Sequence, residues 1–224
     1  MAPRNRKRSP GVAALVSGGM ESAALLAGLA RRGPVLPVYV RAGHAWEPVE
    51  LKWAKRLALR MRARGVRPLA VLELPVRDAY RSAAWSLSGR GVPSASSPDS
   101  AVYLPGRNIL LLSKLAVYAA QRGLSRAAIG TLGSNPFPDG SRRFFRKFSA
   151  ALSEGLGRAF RVEAPFSGRR KADVVRAHAG VPWELTFSCI APRRGLHCGR
   201  CNKCAERRAA FSGAGLADPT RYAR

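Results

Sequence analysis

A short apolar run, Val12 to Val16, ends in Ser17-Gly18-Gly19, and an Ala- and Leu-rich stretch from Glu21 to Arg32 follows at once. This succession of strand, glycine turn and helix constrains the fold most, because the rest of the chain repeats it. Val35 to Val40 and Leu69 to Leu74 read as strands on either side of a basic amphipathic helix, Val49 to Arg64. Ser86 to Ser100 is rich in Ser, Gly and Pro and reads as a long mobile loop. Beyond it come a helix over Asn108 to Arg122, a strand over Ala127 to Gly130, a helix over Ser141 to Leu156, a strand over Phe160 to Glu163 and a short helix over Lys171 to His178. Strands alternating with helices imply βαβ units. The expected fold is α/β, with a doubly wound, mainly parallel sheet and ligands at the carboxyl ends of its strands.

The 224 residues suffice for one domain with a small appendage. No apolar run reaches the roughly 18 residues of a membrane span, and the basic start, Met1 to Ser9, is not followed by a signal-peptide core. The expectation is a cytoplasmic protein without a membrane partner. Lys and Arg number 39 against 13 Asp and Glu, a formal charge of +26. Such a field attracts nucleotides and other anions. The cations are mostly Arg scattered through Ala-rich sequence, rather than clustered with aromatics as on a nucleic-acid surface. Biased composition accounts for that, and no nucleic-acid partner is required.

Ser17 to Ser22 has the chemistry of a phosphate loop. Glycines admit close backbone approach, the free N–H groups of a helix start favour anions, and Ser17 and Ser22 add hydroxyls. No Lys follows, so this is not the Gly-Lys-Ser/Thr P-loop. It resembles the SGGxDS pyrophosphate loop of the N-type ATP pyrophosphatases, with Glu21 in place of Asp. The four cysteines, Cys189, Cys198, Cys201 and Cys204, all fall in one short segment. Clustered thiols at Cys-x-x-Cys spacing point to one structural zinc per chain with a closed shell of four thiolates, rather than to disulfides. His197 is then not needed as a ligand and reads as a residue beside the site or at the surface. Gly106-Arg107-Asn108 feeds an apolar helix; Arg107 offers a planar fork to phosphate and Asn108 suits an N-cap.

Residues 11 to 211 resemble the 7-cyano-7-deazaguanine synthase family. The matching segments run in order: SGGMESAALL, PGRNILLLSKLAVYAA, Ile129-Gly130-Thr131 before Asn135-Pro136-Phe137-Pro138-Asp139, VEAPFSGRRKADVVR, VPWELTFSC and HCGRCNKCAERRAAF. The resemblance implies an adenine nucleotide α-hydrolase-like fold and ATP-dependent ligase chemistry. ATP, with Mg2+, activates the carboxylate of 7-carboxy-7-deazaguanine as an acyl-adenylate. Ammonia displaces AMP to give the amide, and a second activation of the amide oxygen, with net loss of water, gives the nitrile. It assigns ATP to Leu15, Val16, Ser17, Gly18 and Gly19, then Met20, Glu21 and Ser22, then Ala23, Ala24 and Leu25. Glu21, Arg107 and Lys171 become candidates for catalytic and phosphate contacts, and Asp139 for the base edge or the substrate loop. It also implies a homodimer.

The chain departs from the family at three places. Glu21 is one methylene longer than Asp, Val40-Arg41-Ala42-Gly43-His44 lacks the family's Gln-Arg, and Gly140 stands where a Cys is common. His44 reads as an ordinary loop histidine. These departures leave two further readings: an adenylating amide ligase or conjugating enzyme on another acid, and a non-catalytic basic nucleotide- or nucleic-acid-binding module. The expected organisation is a basic tail over 1–9, an ATP-binding α/β domain over 10–187, a zinc-binding segment with a terminal helix over 188–212, and a loose tail over 213–224.

Overall fold

The computed structural model describes residues 11–81 and 84–223, so the expected basic tail, Met1 to Ser9, lies outside the described residues. Five strands form one sheet in the order β3-β2-β1-β4-β5, with every pairing parallel. They are β1 (Val12–Leu15), β2 (Val35–Arg41), β3 (Ala70–Glu73), β4 (Arg126–Ala128) and β5 (Arg161–Glu163). The helices are α1 (Met20–Ala30), α2 (Glu47–Met61), a four-residue α3 (Trp85–Ser88), α4 (Arg107–Ala120), α5 (Arg142–Gly155), α6 (Lys171–Ala177) and α7 (Asn202–Ala214). Among the described residues no helix is long and apolar enough to cross a membrane.

A parallel strand covered on both faces has no polar side to present, and β1 is buried at all four positions. Its alternation divides the core. Val12 and Ala14 face the layer of α1, α2, α6 and α7, with Leu25, Leu57, Val174 and Phe211. Ala13 and Leu15 face α4 and α5, with Leu112, Leu115 and Phe145. The chain winds outward from β1 through β2 to β3, then returns to lay β4 on the other side of β1. The loops after β1 and β4 therefore diverge at the carboxyl edge, the crevice in which a doubly wound sheet binds ligands.

Several boundaries differ from expectation for local reasons. α2 starts at Glu47, ahead of Val49, because Glu47 accepts from Ala42 N (2.6 Å) and Gly43 N (2.9 Å) and secures the turn into the helix. Asn108 is not the N-cap of α4. Gly106 takes that place at φ +69°, and the Asp139 carboxylate comes from a distant turn to accept from Asn108 N at 2.9 Å. The Ser86 to Ser100 segment is not a free loop. Ala95 N donates to Arg200 O (2.8 Å) and Asn202 N to Pro93 O (3.0 Å), so the cysteine segment orders it.

The tail beyond Gly213, expected to be loose, is also docked. α7 runs on to Ala214, Ala223 N donates to His197 O (2.8 Å), and Tyr222 Oη donates to Asp218 Oδ2 (2.6 Å). Its anchor is Arg207, fully buried on α7. The guanidinium donates to Thr186 Oγ1 (2.8 Å), to Trp183 O (3.0 Å) and to Thr220 Oγ1, and lies 3.7 Å from Asp218. One side chain thus joins α7, the Trp183–Leu185 turn and the tail. Arg207→Met removes the donors and leaves several buried acceptors unpaired. The expected loss is about 3 kcal/mol of unfolding free energy, read by urea denaturation; an unchanged midpoint would show the tail to be independent of this anchor.

Candidate active site

The crevice between the β1 and β4 loops is a cleft of about 300 Å³. Leu15, Val16, Ser17, Gly19, Glu21 and Ser22 line one wall, and Ile129, Gly130 and Thr131 the facing one. The loop after β1 is closed on itself. Ser17 N donates to Ser22 Oγ (3.0 Å), Gly19 N to Ser17 Oγ (3.3 Å), and Phe187 N reaches across to Gly18 O (2.8 Å). Gly18 has φ +79°, and a Cβ there would lie 3.1 Å from Ala54 of α2, so both backbone and packing require glycine. The first helical hydrogen bond of α1 runs from Ala23 N to Gly19 O. The N–H groups of Met20, Glu21 and Ser22 precede it and sit at the positive end of the helix dipole, a site for an anion.

The side chains of four other residues of the expected ATP stretch turn away from the cleft, while the backbone N–H of Met20 stays at the helix start. Met20, Ala23, Ala24 and Leu25 are buried in the core beneath α1, because a helix opening on this turn can show only part of its first two turns to the cleft. Gly130 explains the Ile-Gly-Thr segment. A Cβ on it would stand 3.0 Å from Glu21 Cβ and 3.1 Å from the Glu21 carbonyl, so its absence is what lets β4 approach the start of α1.

Glu21 and Lys171, far apart in sequence, meet here at 2.5 Å (Oε1 to Nζ). Lys171 Nζ also lies 2.6 Å from Glu206 Oε1, and Glu206 Oε2 lies 2.7 Å from Lys203 Nζ. Burying one ammonium costs several kcal/mol, and a carboxylate about 4 Å away at an effective dielectric of about 20 offsets about 4 kcal/mol. Two carboxylates therefore keep Lys171 charged. Burial works against the ammonium, but Glu21 and Glu206 outweigh it and hold its pKa above the usual lysine range. Burial likewise opposes the Glu206 carboxylate, and Lys171 and Lys203 override it and hold its pKa well below the usual range. The family resemblance singled out Lys171 but passed over Lys203 and Glu206. Their three-residue separation on a helix was the available signal.

Arg107 lines the cleft from the start of α4, and its Nε is buried without a hydrogen-bond partner among the described residues. Asp139 lies off the cleft. Its carboxylate accepts from Asn108 N and its carbonyl from Asn108 Nδ2 (3.1 Å), so it orders the loop that leads into α4. Deeper in the wall, Tyr39 Oη donates to Glu50 Oε2 at 2.6 Å. Burial pushes the Glu50 carboxyl up to about 7, against the Tyr39 hydrogen bond and the Arg107 charge. His44 is buried outside the cleft, stacked on Trp46 at 4.6 Å, and burial pushes its pKa down to about 3.

Cys189, Cys198, Cys201 and Cys204 are all buried, with ligand atoms within 4.8 Å of one another. Cys189 and Cys201 sulfurs lie 3.9 Å apart, and those of Cys198 and Cys204 4.0 Å. A tetrahedron with metal–sulfur bonds of about 2.3 Å has edges of about 3.8 Å, so the four residues fit a metal ion. Backbone N–H groups of Ala191, Cys198 and Arg200 point at the sulfurs and stabilise thiolate charge. His197 is not at the surface. It is packed against Phe187 and Tyr222, with Nε2 accepting from Ser188 N at 3.2 Å.

A protein-family model described as queuosine biosynthesis protein QueC matches residues 12–215. The 7-cyano-7-deazaguanine synthase of Methanothermobacter thermautotrophicus is 31% identical over 221 residues, covering 93% of this chain and 97% of that protein. The 7-cyano-7-deazaguanine synthase of Myxococcus xanthus is 35% identical over 227 residues, covering 93% and 95%. Among solved structures, the U34-tRNA thiolase NcsA from Methanococcus maripaludis superposes with a TM-score of 0.52 at 10% identity, over 92% of this chain and 66% of that one. A structure described as a "predicted subunit of tRNA methyltransferase" from Methanocaldococcus jannaschii gives 0.51 at 15%, over 96% and 92%. At such identities the likeness is one of fold.

Two outcomes follow from this geometry. Elemental analysis of fresh protein is expected to find about one metal ion per chain, with Cys201→Ser losing it and melting at lower temperature. Glu50 stays protonated in the native protein up to about pH 7 but ionises near 4.5 when unfolded. The native state holds the extra proton between those values, so stability is full below the window and falls as pH rises through it, by about 3 kcal/mol. Glu50→Gln cannot ionise and should flatten that fall in urea titrations at either end of the window; an unchanged slope would show that Glu50 is ionised throughout.

Proposed function

The chain belongs to the QueC family, and on that premise we propose that it converts 7-carboxy-7-deazaguanine and ammonium to 7-cyano-7-deazaguanine at the expense of ATP. The observation that carries this reading is the meeting of Glu21 and Lys171 beside an anion-binding helix start at the topological switch point. A carboxylate is a poor electrophile, so it must first be given a leaving group. ATP, as its magnesium complex, supplies AMP to the carboxyl oxygen and releases pyrophosphate. The loop from Ser17 to Ser22, with the N–H groups opening α1, receives the pyrophosphate as charge gathers on it. Ammonia then displaces AMP to give the amide. A second adenylation, on the amide oxygen, lets that oxygen depart with AMP and leaves the nitrile.

In this scheme Lys171 holds Glu21 in place at the phosphate loop. From the first turn of α1 the Glu21 carboxylate reaches the Lys171 ammonium directly. Arg107 faces the cleft with an uncommitted Nε and meets negative charge on substrate or nucleotide. Cys189, Cys198, Cys201 and Cys204 would hold one structural zinc, which would brace the segment at the start of α7 and supply stability rather than chemistry. The protein works in the cytoplasm, and a homodimer is the assembly we assign to it.

Incubation with ATP, Mg2+, ammonium and 7-carboxy-7-deazaguanine, followed by mass spectrometry, is expected to yield the nitrile with AMP and pyrophosphate. An amide that goes no further, or AMP release only with a different acid, would overturn the assignment. Lys171→Met should lower kcat/KM about hundredfold, or about 2.7 kcal/mol of transition-state stabilisation, with metal content unchanged.

A further inference from the structure

Three cationic side chains line the cleft among the described residues: Arg107, Lys171 and Lys203. An ammonium has three donors. Lys171 commits to two carboxylates, Glu21 and Glu206. Lys203 commits to one, Glu206 Oε2. Lys203 is therefore the ammonium with more hydrogen-bonding capacity left for a ligand, although the family resemblance pointed to Lys171.

Its placement is also more constrained than that of an exposed ion pair. Lys203 lies on the first turn of α7, between Cys201 and Cys204, so the knuckle fixes its backbone. Its side chain is only 27% exposed, and that of Glu206 26%. Glu206 uses one oxygen on each lysine and so spans from Lys203 to Lys171, which contacts Glu21 at the phosphate loop. An ordinary surface pair three residues apart on a helix has no such second partner and contributes only a few tenths of a kcal/mol.

We propose that Lys203 is a further phosphate-binding residue of the cleft, carried there by the cysteine knuckle and aimed by Glu206 at the polyphosphate of ATP. The inference rests on the reading of the cleft as an ATP site. It gives the knuckle a direct part in that site, since the segment that holds the metal also presents a cation to the nucleotide.

The test is calorimetric titration of the metal-loaded protein with ATP and with sodium tripolyphosphate, at about 0.15 M salt to screen the general field. Lys203→Gln is expected to bind both about tenfold more weakly, and Lys203→Arg to recover most of the loss. Lys147→Gln, which removes the same charge from the exposed face of α5 outside the cleft, is expected to bind as the wild type does. Unchanged affinity in Lys203→Gln would overturn the proposal. So would equal losses in Lys203→Gln and Lys147→Gln, which would assign the effect to overall charge. Losses in both Lys203 variants accompanied by reduced metal content would also overturn it, by making Lys203 a stabiliser of the knuckle. A wild-type protein that binds neither ATP nor tripolyphosphate would instead remove the ATP-site reading itself.

Discussion

The ammonium of Lys171, held between the carboxylates of Glu21 and Glu206, is the contact on which the arrangement of the site depends. It joins three elements that the sheet alone does not bring into register: the start of α1, the start of α6 and the second turn of α7. A buried cation with one partner would be marginal, and with two it stays charged. Buried charge pairs often stabilise no better than apolar packing would. Their value here lies in position, because no apolar contact would fix a carboxylate at the mouth of an anion site.

Around that contact the molecule is built from two unlike supports. The sheet is held by apolar burial, with β1 sandwiched between helical layers and glycines at Gly18 and Gly130 admitting close backbone approach. The cysteine segment packs in a smaller apolar cluster with Trp46, Leu104, Phe187 and Ile190 and is held in addition by polar and metal-binding groups. Arg207 ties it to the Trp183–Leu185 turn, the tail closes over His197, and the Ser86 to Ser100 segment pairs with its backbone. Its thiols are placed for a tetrahedral ion. α7 leaves that knuckle with Lys203 and Glu206 on the side that faces the cleft, so the appendage and the α/β domain share one site.

Much of the fold was legible because its signals are local. Apolar runs of strand length, the glycine turn and the Cys-x-x-Cys spacing all act within a few residues, and each expected strand and helix has a counterpart within a few positions. What the sequence left open was of another kind. Asp139 carries the signature of a turn, and its contact with Asn108 spans 31 residues. The four residues Met20, Ala23, Ala24 and Leu25 share the loop's neighbourhood in sequence but turn into the core. The Ser- and Gly-rich loop and the tail have compositions that suggest freedom, and partners from elsewhere in the chain remove it.

By itself the sequence determined the class of fold, the family, the phosphate loop and the set of thiols, because periodicity, turn chemistry and ligand spacing are properties of short segments. Only the tertiary structure decided which charges meet. That Glu21 reaches Lys171, that Glu206 bridges Lys171 and Lys203, and that Arg207 is buried depend on where separate helices end against one sheet edge. Electrostatic pairing depends on distance in space, and burial sets its strength. Neither quantity is written in the order of residues along the chain.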